Sequence, residues 1–245
     1  MKASFALLCG LVFGAFGLFA LAWTVLFVLR GELLNAGVTV GISVFCLGFI
    51  APFPKVVSGS VRPVARCEGS EGTTFRPDRG VDMPLQLSLL GLVTAAAIYT
   101  IFAPIKQVSI PVPDSMRYAL PLVCGLVVLL GIPMLLRTLS RGCSRYLRLS
   151  PDGIEIAEGW GAQVYDWKDV ADITDEVPGR QSAVPGSVTF VLADSTTAAI
   201  TARSITPDGS ALRELSRFYW EHPEARVELT DGRAVERLDR MLADI

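Results

Sequence analysis

The chain has 245 residues, 51% of them hydrophobic and 19% charged, with a formal net charge of −2. That apolar excess is too large for an ordinary soluble domain and points to segments that sit in lipid. Charge speaks against nucleic acid as a partner: from Arg141 onward 12 basic residues stand against 18 acidic ones, a balance of −6, whereas displacing counterions needs clustered positive charge.

Crossing a bilayer core takes roughly 20 apolar residues in a helix. Four segments meet that requirement: Ser4 to Leu29, Leu33 to Phe53, Pro84 to Pro104 and Ala119 to Leu136. None has an ionisable side chain in its interior. Lys2 followed by an apolar stretch and Ala20-Leu21-Ala22 has the outline of a cleavable leader. The apolar run continues from Trp23 to Leu29, past any such cleavage point, so an uncleaved span is expected.

Small residues at helical spacing occur in the first two spans, Gly10 with Gly14 and Gly37 with Gly41. Such pairs let backbones approach closely in lipid, and packing of span one on span two is the expected use, with chance spacing or an oligomer contact as alternatives. The hydroxyls of Thr24, Thr39, Ser43, Ser88, Thr94, Tyr99 and Thr100 supply much of the polarity inside the spans. Transporters and proton relays usually carry ionisable groups there, so an anchor or scaffold bundle is expected.

The segment between spans two and three, 54–83, is rich in Gly, Pro, Ser and Arg and has little periodicity. It is expected to be a loop with short extended pieces at Lys55-Val56-Val57 and Val61 to Val64. Basic residues flanking the spans set orientation. Lys2, Lys55, Arg62, Arg66, Arg76, Arg79, Arg137, Arg141, Arg145 and Arg148 fall on one side, ten against the three of Arg30, Lys106 and Arg117. Both termini and the 54–83 loop are therefore expected to be cytoplasmic. The run Arg137, Arg141, Arg145, Arg148 is a juxtamembrane strip suited to fixing topology and touching anionic headgroups.

Beyond the spans the pattern changes to alternation of apolar and polar residues. Leu147 and Leu149 point one way and Arg148 the other; Ile154 and Ile156 repeat this after the turn Ser150-Pro151-Asp152-Gly153, where Gly153 is expected to take a positive φ. Further strands are expected at 163–167, 170–177, 187–192 and 197–201. A helix is expected after Thr206-Pro207-Asp208 with Leu212, Leu215, Phe218 and Tyr219 on one face, broken at His222-Pro223. A second, from about Asp231, carries Val235, Leu238, Met241 and Leu242. The expected architecture is a four-span α-helical membrane bundle (1–137) plus an α+β domain of antiparallel sheet or partial barrel with a closing helix (145–220), and a helical tail (221–245).

The run YLRLSPDGIEIAEGWGAQVYDWKDVADITDE, then SVTFVLADSTTAAITARS and a helix, resembles the pleckstrin-homology-like (PH-like) domains carried by small bacterial membrane proteins. FYWEHPEARVEL is similar to the tail of actinobacterial membrane proteins of that kind. The resemblance implies a cytoplasmic, non-catalytic domain. Phosphoinositide-binding relatives hold phosphates with basic residues in the first hairpin loop, but here that loop carries Asp152, so specific phosphoinositide binding is not expected.

Catalytic and metal chemistry lack candidates. His222 is the sole histidine, and the five cysteines show no paired ligand spacing. Asp166, Asp169, Asp172, Asp175 and Glu176 form an acidic strip expected to solvate strand ends and turns. No phosphate-cradling glycine loop occurs, and no cofactor is expected. Trp167 is expected in the core, whereas Trp160, set between two glycines, is the candidate partner contact. The expected function is a non-enzymatic integral membrane protein that presents its domain as a docking or assembly surface; a small channel or transporter subunit with a regulatory domain is the alternative. A reporter fused after Ile245 should report a cytoplasmic terminus. Activity of a reporter that works only outside the cytoplasm would reverse the orientation.

Overall fold

The computed structural model describes residues 3–108, 116, 118–158, 161–175, 186–207 and 209–243. The chain divides into two compact units, one of Met1–Pro54 and Met83–Gly142, the other of Lys55–Asp82 and Cys143–Ile245. In order, the elements are α1 (Ala3–Leu29), α2 (Leu33–Ile50), α3 (Phe53–Val57), β1 (Val64–Cys67), β2 (Thr73–Arg76), α4 (Arg79–Phe102) and α5 (Ala119–Arg141). There follow β3 (Arg145–Leu149), β4 (Gly153–Glu158), β5 (Gly161–Asp166), β6 (Val170–Thr174), β7 (Val188–Leu192), β8 (Thr197–Ile200), α6 (Ser210–Glu221), α7 (Glu228–Asp231) and α8 (Arg233–Ala243).

Four helices are long and apolar enough to cross a membrane, over Ala6–Leu29, Leu33–Val57, Arg79–Phe102 and Ala119–Arg141. Their outward faces are leucine-rich: Leu7, Leu11, Leu122 and Leu129 are each about 70% exposed in the isolated chain. Such surface is stable only against hydrocarbon. The bundle is a membrane-spanning one.

Inside it the hydroxyls act as ties between helices. Ser43 Oγ donates to the carbonyl of Gly17 at 2.9 Å, and Thr24 Oγ1 donates to Thr39 Oγ1 at 2.9 Å, both joining α1 to α2. Ser88 Oγ donates to the carbonyl of Phe45 at 2.8 Å, joining α4 to α2. Thr100 Oγ1 reaches the carbonyl of Pro121 at 3.4 Å. Each removes a hydroxyl from hydrocarbon, where it would lack a partner.

The glycines are used differently from the expected pairing of spans one and two. A Cβ on Gly41 would lie 2.7 Å from the carbonyl oxygen of Gly91 on α4, and one on Gly37 would meet Ile98 on the same helix at 2.9 Å. The second pair thus serves α2 against α4. On α1 the tight position is Gly17, whose Cβ would lie 3.0 Å from Cys46; Gly14 makes only an ordinary approach to Ile50, and Gly10 has nothing within 4 Å. Helical spacing gives a shared face and leaves the neighbour undetermined.

The second unit is α+β. The strands form two antiparallel sheets, of order β1-β2-β3-β4-β5 and β6-β7-β8. Strands expected from alternation are present, and the α6 and α8 helices fall where their apolar periodicity places them. The expected 170–177 strand is described as far as Thr174, the residues after Asp175 lying outside the described set. Gly153 does not adopt positive φ; a Cβ there would lie 2.5 Å from the carbonyl oxygen of Tyr165, so close strand approach is what demands glycine.

Two boundaries differ from expectation. The 54–83 segment is not an irregular loop appended to the bundle: β1 and β2 are the first two strands of the larger sheet, and β2 pairs directly with β3 through Thr73↔Leu149, Thr74↔Arg148 and Phe75↔Leu147. Phe75 is wholly buried with Leu147, Leu149 and Phe190 in the common core. The 221–245 segment is not a detached tail either, because Leu229, Ala234 and Leu238 are wholly buried in that same core. Thr73 Oγ1 donates to the Leu229 carbonyl at 2.7 Å, fastening β2 to α7.

Carboxylates hold the ends of the inserted segment. Asp78 accepts from the backbone amides of Arg62 at 3.0 Å and Gly80 at 2.6 Å and from Lys55 Nζ at 3.2 Å. Burial alone would raise its pKa, but these donors together outweigh burial and hold the carboxyl below its ordinary value. Asp82 accepts from the backbone amide of Ser144 at 3.1 Å and from its hydroxyl. The point where the chain leaves the unit is thereby tied to the point where it returns.

A second polar network closes the helical side. Glu228 takes two hydrogen bonds from Arg237, at 3.0 and 2.9 Å, and one from Tyr219 at 3.1 Å, while the guanidinium lies 4.0 Å from the Phe218 ring centre. Hydrogen bonding by Arg237 holds the Glu228 carboxyl below its ordinary value. Burial and the facing carboxylate push the Tyr219 phenol well up.

Two predictions follow from this packing. Gly41→Val should destabilise the bundle by about 1–3 kcal/mol, seen as a lower melting temperature in detergent, while Gly10→Val should change it little. Glu228→Gln should cost about 1.5–3 kcal/mol at neutral pH, the value of hydrogen bonds to a charged group. Because the folded-state pKa of Glu228 is depressed, its contribution is complete above about pH 4.3, the ordinary carboxylate value, and is lost as pH falls through the lower folded value. Urea unfolding of wild type and variant should therefore converge in acid.

Candidate functional site

Two of the arginines that the sequence offered for headgroup contact are paired within the α+β unit. Arg148 lies between three carboxylates, Glu68 at 2.9 Å, Glu155 at 3.2 Å and Glu71 at 3.5 Å, and its Nε donates to Thr74 Oγ1. Arg145 pairs with Glu158 at 3.4 Å. These two members of the expected headgroup strip are thus engaged across the sheet, holding β3 to β4 and to the turn before β2. Arg137, exposed on α5, and Arg141, in its last turn, belong to the other unit. The strip expected from sequence therefore splits, because α5 ends at Gly142 in a left-handed cap with φ of +69°.

Two members of the acidic strip are ion-paired and Asp169 is exposed. Asp166 pairs with Lys168 at 2.8 Å and Asp175 with Arg213 at 2.7 Å, while Asp172 accepts from the amide of Ile173. Glu176 lies outside the described residues. Among the described residues no cluster of His, Cys, Asp and Glu could hold a metal ion. His222 stacks on Phe218 with ring centres 4.6 Å apart, and its Nδ1 lies 3.0 Å from the Phe218 carbonyl, a helix-end role. The cysteines form no disulfide.

Trp167 is in the core, only 4% exposed, with its Nε1 donating to the Ser150 carbonyl at 2.8 Å and the Arg226 guanidinium 4.7 Å from its ring centre. The Ser150-Gly153 turn closes on itself, Ser150 Oγ both accepting from the Gly153 amide and donating to its carbonyl. Trp160 lies outside the described residues.

What remains is β5. It pairs with β4 over the whole of Gly161–Asp166 and is the last strand of its sheet. Every residue of it except the half-buried Tyr165 is exposed, Val164 to 71%. Natural edge strands are commonly blunted by Lys, Pro, a bulge or a covering element. The run Gly-Ala-Gln-Val-Tyr-Asp has neither Lys nor Pro, its register with β4 is regular, and Asp166 is its only charge. Exposure of this edge follows from the order of the strands, which the alternation of β5 itself does not encode; a short strand with both faces uncovered is the signal that could have marked it.

No family model matches the chain, and no solved structure matches it. An ATP-dependent lipid A-core flippase of Xylella fastidiosa (strain 9a5c) is 33% identical over 96 residues, which is 39% of this chain and 16% of that protein. The chain thus spans a small part of the length of the curated relative it matches.

Proposed function

We propose that this chain is a non-enzymatic multi-pass membrane protein whose α+β domain is a cytoplasmic, PH-like docking module for an extended protein segment. The observation that carries the reading is the unblunted β5 edge, with Val164 71% exposed. Strand addition to a free edge is a recurrent mode of peptide recognition, in which main-chain hydrogen bonds supply affinity. Two antiparallel sheets followed by a helix after the last strand support the PH-like reading, with the β1–β2 hairpin as an addition to that plan. The bias of basic residues toward one side supports the orientation.

The alternative of a transport subunit draws on the partial likeness to a lipid A-core flippase. That likeness covers 16% of the flippase, and residues 1–245 contain no Gly-rich phosphate loop that would support nucleotide-driven movement. The bundle's interior polarity is used in helix-to-helix hydrogen bonds, which favours the anchor.

A photoreactive residue at position 164 of the full-length protein in cells should give discrete adducts. Val164→Lys, which puts a charge on the edge, should abolish those formed by a photoreactive residue at position 162. Failure of both positions to cross-link any protein, a second copy included, would refute docking at this edge.

A further inference from the structure

The spans of this protein are free of charge in their interiors, yet one end of the bundle holds two opposite charges around a single cavity. That cavity, about 400 Å³, is lined by Gly31, Glu32, Leu33, Leu34, Asn35, Lys106 and Gln107. Its walls are the α1–α2 turn with the start of α2, and the turn that follows α4. All belong to one unit. We propose that this cavity binds the headgroup of a zwitterionic phospholipid bearing a primary ammonium, of the phosphatidylethanolamine type.

The charges are placed and not joined. Asn35 is 3% exposed, and its Nδ2 donates to Glu32 Oε2 at 2.6 Å, fixing the carboxylate at the cavity wall. Lys106 stands in a tight turn, its amide bonded to the Ala103 carbonyl at 3.1 Å, with φ of +56°, a conformation that non-glycine residues seldom adopt. Among the described residues neither Glu32 nor Lys106 takes part in an ion pair. A carboxylate and an ammonium that share a cavity without meeting are both answered by one zwitterion lying between them.

Each half of the ligand follows from the lining. The α2 helix starts without a side-chain cap, and its first residues, Leu33 and Leu34, line the cavity beside Lys106. Helix-start amides with a nearby ammonium favour a phosphate. The Glu32 carboxylate accepts N–H hydrogen bonds, which a primary ammonium offers and a quaternary one lacks. Quaternary ammonium is held instead by aromatic cages, and among the described residues no aromatic side chain lines this cavity. A lipid is preferred to a soluble zwitterion because Leu33, 71% exposed, and Ile105, 58% exposed, flank the two charged positions and offer apolar surface to acyl chains.

This inference is independent of docking at β5. Its test is native mass spectrometry of the full-length protein in detergent, titrated with phosphatidylethanolamine, phosphatidylcholine and phosphatidylglycerol of matched chains. Wild type should retain phosphatidylethanolamine about tenfold more strongly than either competitor, the discrimination of one charged hydrogen bond. Glu32→Gln, which keeps an acceptor for Asn35, should erase the preference over phosphatidylcholine. Lys106→Gln should weaken phosphatidylethanolamine and phosphatidylglycerol alike. Equal retention of all three lipids by wild type, or an unchanged preference in Glu32→Gln, would overturn the proposal. Stabilisation by free O-phosphoethanolamine without selective lipid retention would overturn its lipid half and assign the cavity to a soluble zwitterion.

Discussion

The pairing of β2 with β3 is the constraint on which the rest of the molecule depends. Thr73 to Phe75 bond to Leu147 to Leu149, and between them the chain runs through α4 and α5. A sheet cannot form unless both strands are on one side of the bilayer, so the two intervening helices must cross and return. The larger sheet thus dictates a helical hairpin, and the Asp82 carboxylate on Ser144 ties the departing chain to the returning chain within the α+β unit. The entropic cost of joining such distant segments grows only slowly with loop length, and burial of Phe75 against Leu147 and Leu149 offsets it.

Polarity is handled by opposite strategies in the two units. In the bundle, hydroxyls reach backbone carbonyls on neighbouring helices, and bare glycine surface at Gly41 and Gly91 lets α2 and α4 meet backbone to backbone. No charge is needed there. In the α+β unit, carboxylates and guanidinium groups interlock, as Arg148 does with Glu68, Glu71 and Glu155. Arg145 and Arg148 have carboxylate partners within that unit, whereas Arg137 and Arg141 belong to α5, so the four arginines of the sequence run are divided between two units.

Much of this was legible in the residues, and the failures have physical causes. The spans were evident from uninterrupted apolar runs, and β3, β4, β7 and β8 from alternation, because those signals are local. Strands β1 and β2 were missed because each has only four residues, and β2 has Thr or Arg at three of them; β2 is held by a partner strand beyond two helices. Gly37 and Gly41 were rightly marked as a packing face but assigned to the wrong neighbour, since periodicity carries no record of which helix lies opposite. Arg145 and Arg148 were grouped with Arg137 and Arg141 by proximity in sequence, although Gly142 turns the chain between them. The candidate docking edge emerged only once strand order was known, for a strand's own pattern does not reveal whether it lies inside a sheet or at its margin.

Hydrogen–deuterium exchange of the full-length protein in detergent tests the central claim most directly. If the 55–82 segment is part of the α+β unit, amides of Thr73 to Arg76 should be protected to the same extent as those of Arg145 to Leu149. Both should lose protection together when Phe75→Ala opens the core. Exchange of 64–76 at the rate of an unstructured loop, with 145–158 still protected, would contradict the account.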